Sequence, residues 1–145
     1  GFTDAQMPAG SVLQVVQGTS TTTVYNATTT YVDTGLTATI TPSSTSSKVL
    51  VITTNPSVYK TNITASSSVN LQTVRGTAII QTSTGISYNN AAHQQMSAVS
   101  MSVLDSPATT SATTYKTQFA SADTNGAHSN LNSNISTIIL IEIGG

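Results

Sequence analysis

The sequence predicts an all-β fold, an antiparallel β-sandwich of jelly-roll type, and three observations carry that expectation. Charged residues make up only 6% of the 145 residues, so the ion pairs that support surface helices are scarce, while abundant β-branched threonine suits a pleated strand. Apolar residues recur with a period of two in several short segments, and no stripe of period 3.6 persists over three turns. Clusters of Gly, Pro, Ser and Asn separate those segments, giving roughly eight strands at turn-punctuated spacing. The length fits one domain, expected over 11–145 and preceded by a linker or arm over 1–10.

The first segment, Ser11 to Gln17, lies between Gly10 and Gly18 and has the length and β-branched content of a buried strand. Thr22 to Asn26 follows. In Thr30 to Thr41, Leu36, Ala38 and Ile40 alternate with Thr37, Thr39 and Thr41, which places apolar groups on one face and hydroxyls on the other. Pro42 to Ser47 is a polar turn, and Lys48 to Thr53 resumes as an apolar strand, expected to be the antiparallel neighbour of the one before it. Asn55-Pro56 is expected to break that strand.

Asn70 to Gln81 predicts a hairpin or bulge at Arg75-Gly76. Thr82 to Gln94 lacks a sustained period and is expected to be an exposed loop with at most a short strand. Ser97 to Val103 alternates cleanly, Asp105-Ser106-Pro107 turns the chain, and Thr113 to Phe119 is a further strand. A second polar loop, Ser121 to Asn134, leads to Ile135 through Ile143, apolar at four of the five odd positions and at two even ones. That pattern predicts a strand buried on both faces, or nearly so, at the centre of a sheet.

Net charge is only −1 and mean hydropathy is slightly positive, which opposes disorder and gives no electrostatic pull on phosphates. Arg75, Lys60 and Lys116 form no basic patch with interleaved aromatics, so no nucleic-acid surface is expected. The absence of cysteine excludes disulfides and thiolate metal sites. Gly1 to Met7 carries neither a basic region nor an apolar run, so no signal peptide or membrane insertion is expected.

Chemistry has few candidates. His93 and His128 are the two histidines, and Asp4, Asp33, Asp105, Asp123 and Glu142 are scattered without metal-ligand or paired-carboxylate spacing. Lone histidines in polar loops are ordinarily solvated, so neither catalysis, a metal site nor a cofactor is expected. Asp105 before Ser106-Pro107 is read as a turn starter capping its own backbone. The triplets beginning at Asn26, Asn62 and Asn134 match a glycosylation pattern that so much asparagine and threonine produces by chance. The recognition candidates are loops that gather amides, a tyrosine and imidazoles: Tyr88, Asn89, Asn90 and His93 in one, Asn125, His128, Asn130 and Asn132 in the other.

Several blocks quoted from this chain carry a resemblance: Pro8 to Val16, Tyr31 to Val51 with its strand, Pro-Ser-Ser-Thr-Ser-Ser turn and second strand, Ser100 to Lys116, and the terminal Ile141 to Gly145. Covering about a third of the chain and bracketing it, they resemble a module common in tail-fibre and other virion structural proteins of tailed bacteriophages. The chain departs from that pattern at Val74-Arg75-Gly76-Thr77, where the family often carries Arg-Asn-Gly-Thr. The resemblance implies a C-terminal fibre module, usually a homotrimer, located in the virion. Low charge and unblunted strand edges independently favour self-association. The functional expectation is therefore a tail-fibre or surface-fibre domain that mediates host attachment by trimeric, non-catalytic binding of a host surface glycan or protein. The alternative is a structural capsid-decoration or fibre-building unit that contacts only other virion proteins.

Overall fold

A computed structural model of the chain describes residues 7–61, 67–89 and 93–145. Its strands are β1 (Val12–Ser20), β2 (Val24–Asn26), β3 (Val32–Ile40), β4 (Lys48–Lys60), β5 (Ser67–Arg75), β6 (Ala78–Asn89), β7 (Gln95–Asp105), β8 (Thr113–Ser121), β9 (Ala127–Ser129) and β10 (Ser136–Ile143). A short 3-10 turn at Leu131–Ser133 joins β9 to β10.

The architecture follows from nested antiparallel pairs. β5 pairs with β6, β4 with β7, β3 with β8 and β1 with β10, as if one long hairpin were folded back over itself. The tip of that hairpin is Gly76-Thr77 between the paired Arg75 and Ala78. Gly76 adopts φ +56, a conformation that only glycine takes without penalty, as two-residue hairpin turns with glycine first require.

Rolling the hairpin up yields two antiparallel sheets in a β-sandwich-like arrangement, one of six strands around β4 and one of four in the order β3-β8-β5-β6. β4, at 13 residues, is the longest strand. β7 runs along one of its edges. Its other edge is shared: β10 pairs with Lys48–Thr54, and β9 pairs with Tyr59–Lys60. β1 then lies outside β10, and β2 outside β9.

Between the sheets the alternation of side chains builds two apolar clusters. Leu36, Ala38, Ile40, Val49, Val51, Tyr115, Ile138 and Leu140 form one. Val58, Val69, Leu71, Ile86, Met101, Phe119 and Ala127 form the other. Buried Thr34, Thr53, Asn55, Thr73 and Thr117 occupy the intervening inward positions of β3, β4, β5 and β8. The Thr34 and Thr117 hydroxyls satisfy each other at 2.6 Å.

Five expectations about the strands need correction. β4 is not the neighbour of the strand before it: β3 pairs with β8 in the four-stranded sheet while β4 lies in the six-stranded one, so the Pro42–Ser47 turn carries the chain from one sheet to the other. β1, expected to be buried, is an edge strand with no buried residue. Asn55-Pro56 does not end a strand: β4 continues through it, because the pairing with β7 shifts between Asn55 and Val58, and a bulge absorbs a residue without an N–H. Thr82 to Asn89 is not loop but the second half of β6, an edge strand whose irregular register and positive-φ Gly85 and Ser87 erase its periodicity. β10 does sit centrally, between β1 and β4, but it is fully buried on one face only. Ser136, Ile138, Leu140 and Glu142 point inward, whereas Thr137, Ile139, Ile141 and Ile143 remain partly exposed.

Candidate functional site

Below the β4 bulge, pairing register places four side chains in one row across the outer face of the six-stranded sheet. Tyr25 pairs with His128, His128 with Tyr59, and Tyr59 with Met96. Their strand neighbours point the other way: Val24, Val58 and Ala127 belong to the interior cluster. Period-two alternation therefore directs all four outward. The His128 ring lies 4.9 Å from that of Tyr25 and 6.0 Å from that of Tyr59, tilted by 46° and 49°. Tyr25 is 57% exposed and Met96 48%.

The row has walls. The Ser57 hydroxyl, next to the bulge, donates to the Leu131 carbonyl and to Asn130 Oδ1. Asn132 Nδ2 reaches Met96 Sδ at 3.9 Å, so the 3-10 turn arches over β4 and closes one side. On the other side the Thr61 N–H donates to the Gly126 carbonyl at 3.3 Å, and Gln94 Nε2 donates to the Thr61 carbonyl at 3.1 Å. Gly126, at φ +96, has no side chain for a physical reason: a Cβ there would stand 2.6 Å from Tyr25 Oη and 2.7 Å from Thr61 Oγ1.

Electrostatically the row is neutral. Burial pushes the His128 imidazole below its ordinary value of 6.5, so the ring is uncharged at neutral pH. The nearby polar groups are amides and hydroxyls. Such a surface offers aromatic faces and a soft thioether to C–H groups, with amide donors and acceptors at its margin for hydroxyls.

Among the described residues the carboxylates are all engaged elsewhere. Asp33 accepts from Lys116 Nζ at 2.8 Å and Gln118 Nε2 at 2.7 Å. Asp105 accepts from Arg75 Nη1 and from the buried Tyr115 hydroxyl, each at 2.7 Å, rather than capping its own backbone; burial and then this carboxylate push the tyrosine pKa well up. Asp123 accepts from Ser67, Ser121 and the Asn125 N–H. Fully buried Glu142 accepts from Gln14 Nε2 at 2.6 Å and from the N–H and hydroxyl of Ser43 at 2.7 Å. Burial works against its charge, yet those donors hold its pKa below the ordinary 4.5. A cavity of about 330 Å³ near this end is lined by Met7, Leu13, Ser43, Ser44, Ser47 and the terminal glycines.

Of the residues singled out from the sequence, His128 is in the row, on a strand rather than in a loop, and Asn132 stands at its edge. Asn125 flanks Thr61, whose hydroxyl donates to the Asn125 carbonyl at 3.4 Å. Asn130 is buried; its amide bonds to Ser57 and to the Ser20 carbonyl, so it holds the turn rather than facing a ligand. Tyr88 is exposed and Asn89 lies beside it, both on β6 of the other sheet, and His93 is exposed ahead of β7. Asn90 lies outside the described residues. Tyr25, Tyr59 and Met96 were not foreseen, since what unites them is cross-strand register. No family model matches the chain, and a search of curated proteins finds no match.

Proposed function

We propose that this chain is a trimeric fibre module of a bacteriophage virion that attaches to a host surface glycan without catalysis. The observation that carries the attachment reading is the exposed, uncharged Tyr25–His128–Tyr59–Met96 row on a sheet. Rigid aromatics set on strands lose little entropy when they bind, and three copies of a weak site multiply avidity. The non-catalytic part is supported by the carboxylates: Asp33, Asp105, Asp123 and Glu142 are each consumed by internal donors, and His128 has two aromatic neighbours instead of an acid.

The fold reading that goes with it is a jelly roll. Counting β1 with β2 and β9 with β10 as interrupted strands gives eight, four in each sheet. The nested pairing of first with last inward to the central hairpin is the order that a rolled-up hairpin produces.

A purified chain screened against bacterial surface saccharides tests the attachment reading. Binding that falls at least tenfold in Tyr25→Ala, with an unchanged melting temperature, supports it. No saccharide binding by the wild-type chain overturns it and leaves the alternative, a capsid-decorating or fibre-building unit, which is favoured by the apolar outer face of β1, β10, β4 and β7.

A further inference from the structure

Above the bulge, the same outer face has a different chemistry. Val15, Ile141, Leu50 and Leu104 are successive register partners across β1, β10, β4 and β7, and Ile139 pairs with Ile52 in the next row. All point away from the interior clusters. Val15 is 60% exposed and Leu104 53%. Around this apolar centre the outward positions are Gln17, Thr19, Thr137, Thr54, Ser100 and Ser102, with Lys48 the single charge at one corner.

We infer that this face is where copies of the chain meet, an inference that rests on the oligomeric reading above and assigns it a surface. Four strands by three same-face residues span roughly 14 Å by 14 Å at the spacings of a sheet. That is ~200 Å² of projected area with polar rim positions included, a contiguous patch rather than single apolar residues scattered over a monomer, and about a quarter of the ~800 Å² that each partner gives to a stable interface. Its layout, apolar at the centre and uncharged polar at the margin, is that of an oligomer interface.

The occupant follows from charge. A membrane-binding face carries basic or Trp anchors at its margin, and this chain has no Trp and only Lys48 there. A distinct protein partner is commonly selected by complementary charges, and the rim presents none to complement. A second copy of the same uncharged face meets no like-charge opposition beyond Lys48, and the net charge of −1 adds no long-range repulsion.

The test is the mass of the intact chain by analytical ultracentrifugation at micromolar concentration, for wild type, for Val15→Glu/Leu104→Glu and for Ile79→Glu. Ile79, 61% exposed on the four-stranded sheet, is the control for a charge placed on any exposed apolar residue. Both altered positions of the double variant are already exposed in the single chain, and circular dichroism checks that it folds. A wild-type mass of more than one chain, reduced to one chain in the folded double variant and retained in Ile79→Glu, supports the assignment. A wild-type mass of one chain, a double variant that keeps the wild-type mass, or loss of assembly in Ile79→Glu overturns it. Loss of saccharide binding in Tyr25→Ala with the mass intact concerns attachment alone, so the two readings fail separately.

Discussion

The two halves of the six-stranded sheet share one central strand, β4, yet they are built differently. Above the bulge, β1, β10, β4 and β7 pair almost without interruption, and outer and inner faces are both apolar. Below it, β2 and β9 are three-residue strands held beside β4 by turns, and the outer face carries aromatics flanked by amides. Regular pairing yields a wide surface suited to association. Interrupted pairing yields turns and a glycine packed around a few rings. The difference between the two outer faces follows from where the bulge falls.

The sharpest way to separate the halves is stability. Leu140→Ala removes a fully buried side chain from the upper cluster and is expected to cost about 3 kcal/mol, read as a lower urea midpoint. Met96→Ala in the lower row, half exposed, is expected to cost under ~0.5 kcal/mol. Equal losses would erase the distinction drawn here.

Acid should destabilise the fold in two steps. His128 is depressed below 6.5 by burial, so the unfolded chain binds its proton first, and the stability gained from keeping that ring neutral is lost as pH falls from 6.5 through the folded value. Glu142 is depressed below 4.5, so its contribution is complete above that pH and disappears as pH falls through its lower folded value. In Glu142→Gln one oxygen becomes a donor facing donors, which costs about 2 kcal/mol at neutral pH and flattens the lower-pH step. His128→Phe should flatten only the upper step. Urea midpoints between pH 7 and pH 3 measure both.

Two substitutions sharpen the comparison from the other direction. Lys60 is fully buried at the lower end of β4, and its Nζ has no hydrogen-bond partner among the described residues. Lys60→Met keeps the stem and removes the uncompensated polar head, with an expected gain of about 1 to 2 kcal/mol. Thr53→Val, in the polar layer between the two cores, keeps the shape and deletes a buried hydroxyl that also lacks a partner, for a gain of ~1 kcal/mol. A thermal melt decides each.

The same contrast explains what the sequence made legible. Alternation in Leu36 to Ile40, and the apolar runs of β4 and β10, located the upper half, because long strands with one face buried write a period of two into the chain. The hairpin tip was visible in Arg75-Gly76. β10's exposed face was misread since an apolar residue reads the same whether it meets the core or a neighbouring surface. In the lower half β2 and β9 are too short to show a period, and the proline in β4 looked like a stop because a bulge leaves no mark of its own. His128 stood out by rarity. Its partners Tyr25 and Tyr59 lie 103 and 69 positions away in the chain, and only the register of three strands brings them together.

The central claim is that the lower row binds while the upper face assembles. Saccharide titration of Tyr25→Ala beside the wild-type chain, with mass and melting temperature followed in the same samples, tests it most directly. Saccharide affinity is expected to fall at least tenfold, with assembly and melting temperature unchanged. Undiminished saccharide binding by Tyr25→Ala, or a loss of binding that tracks a loss of assembly, would contradict it.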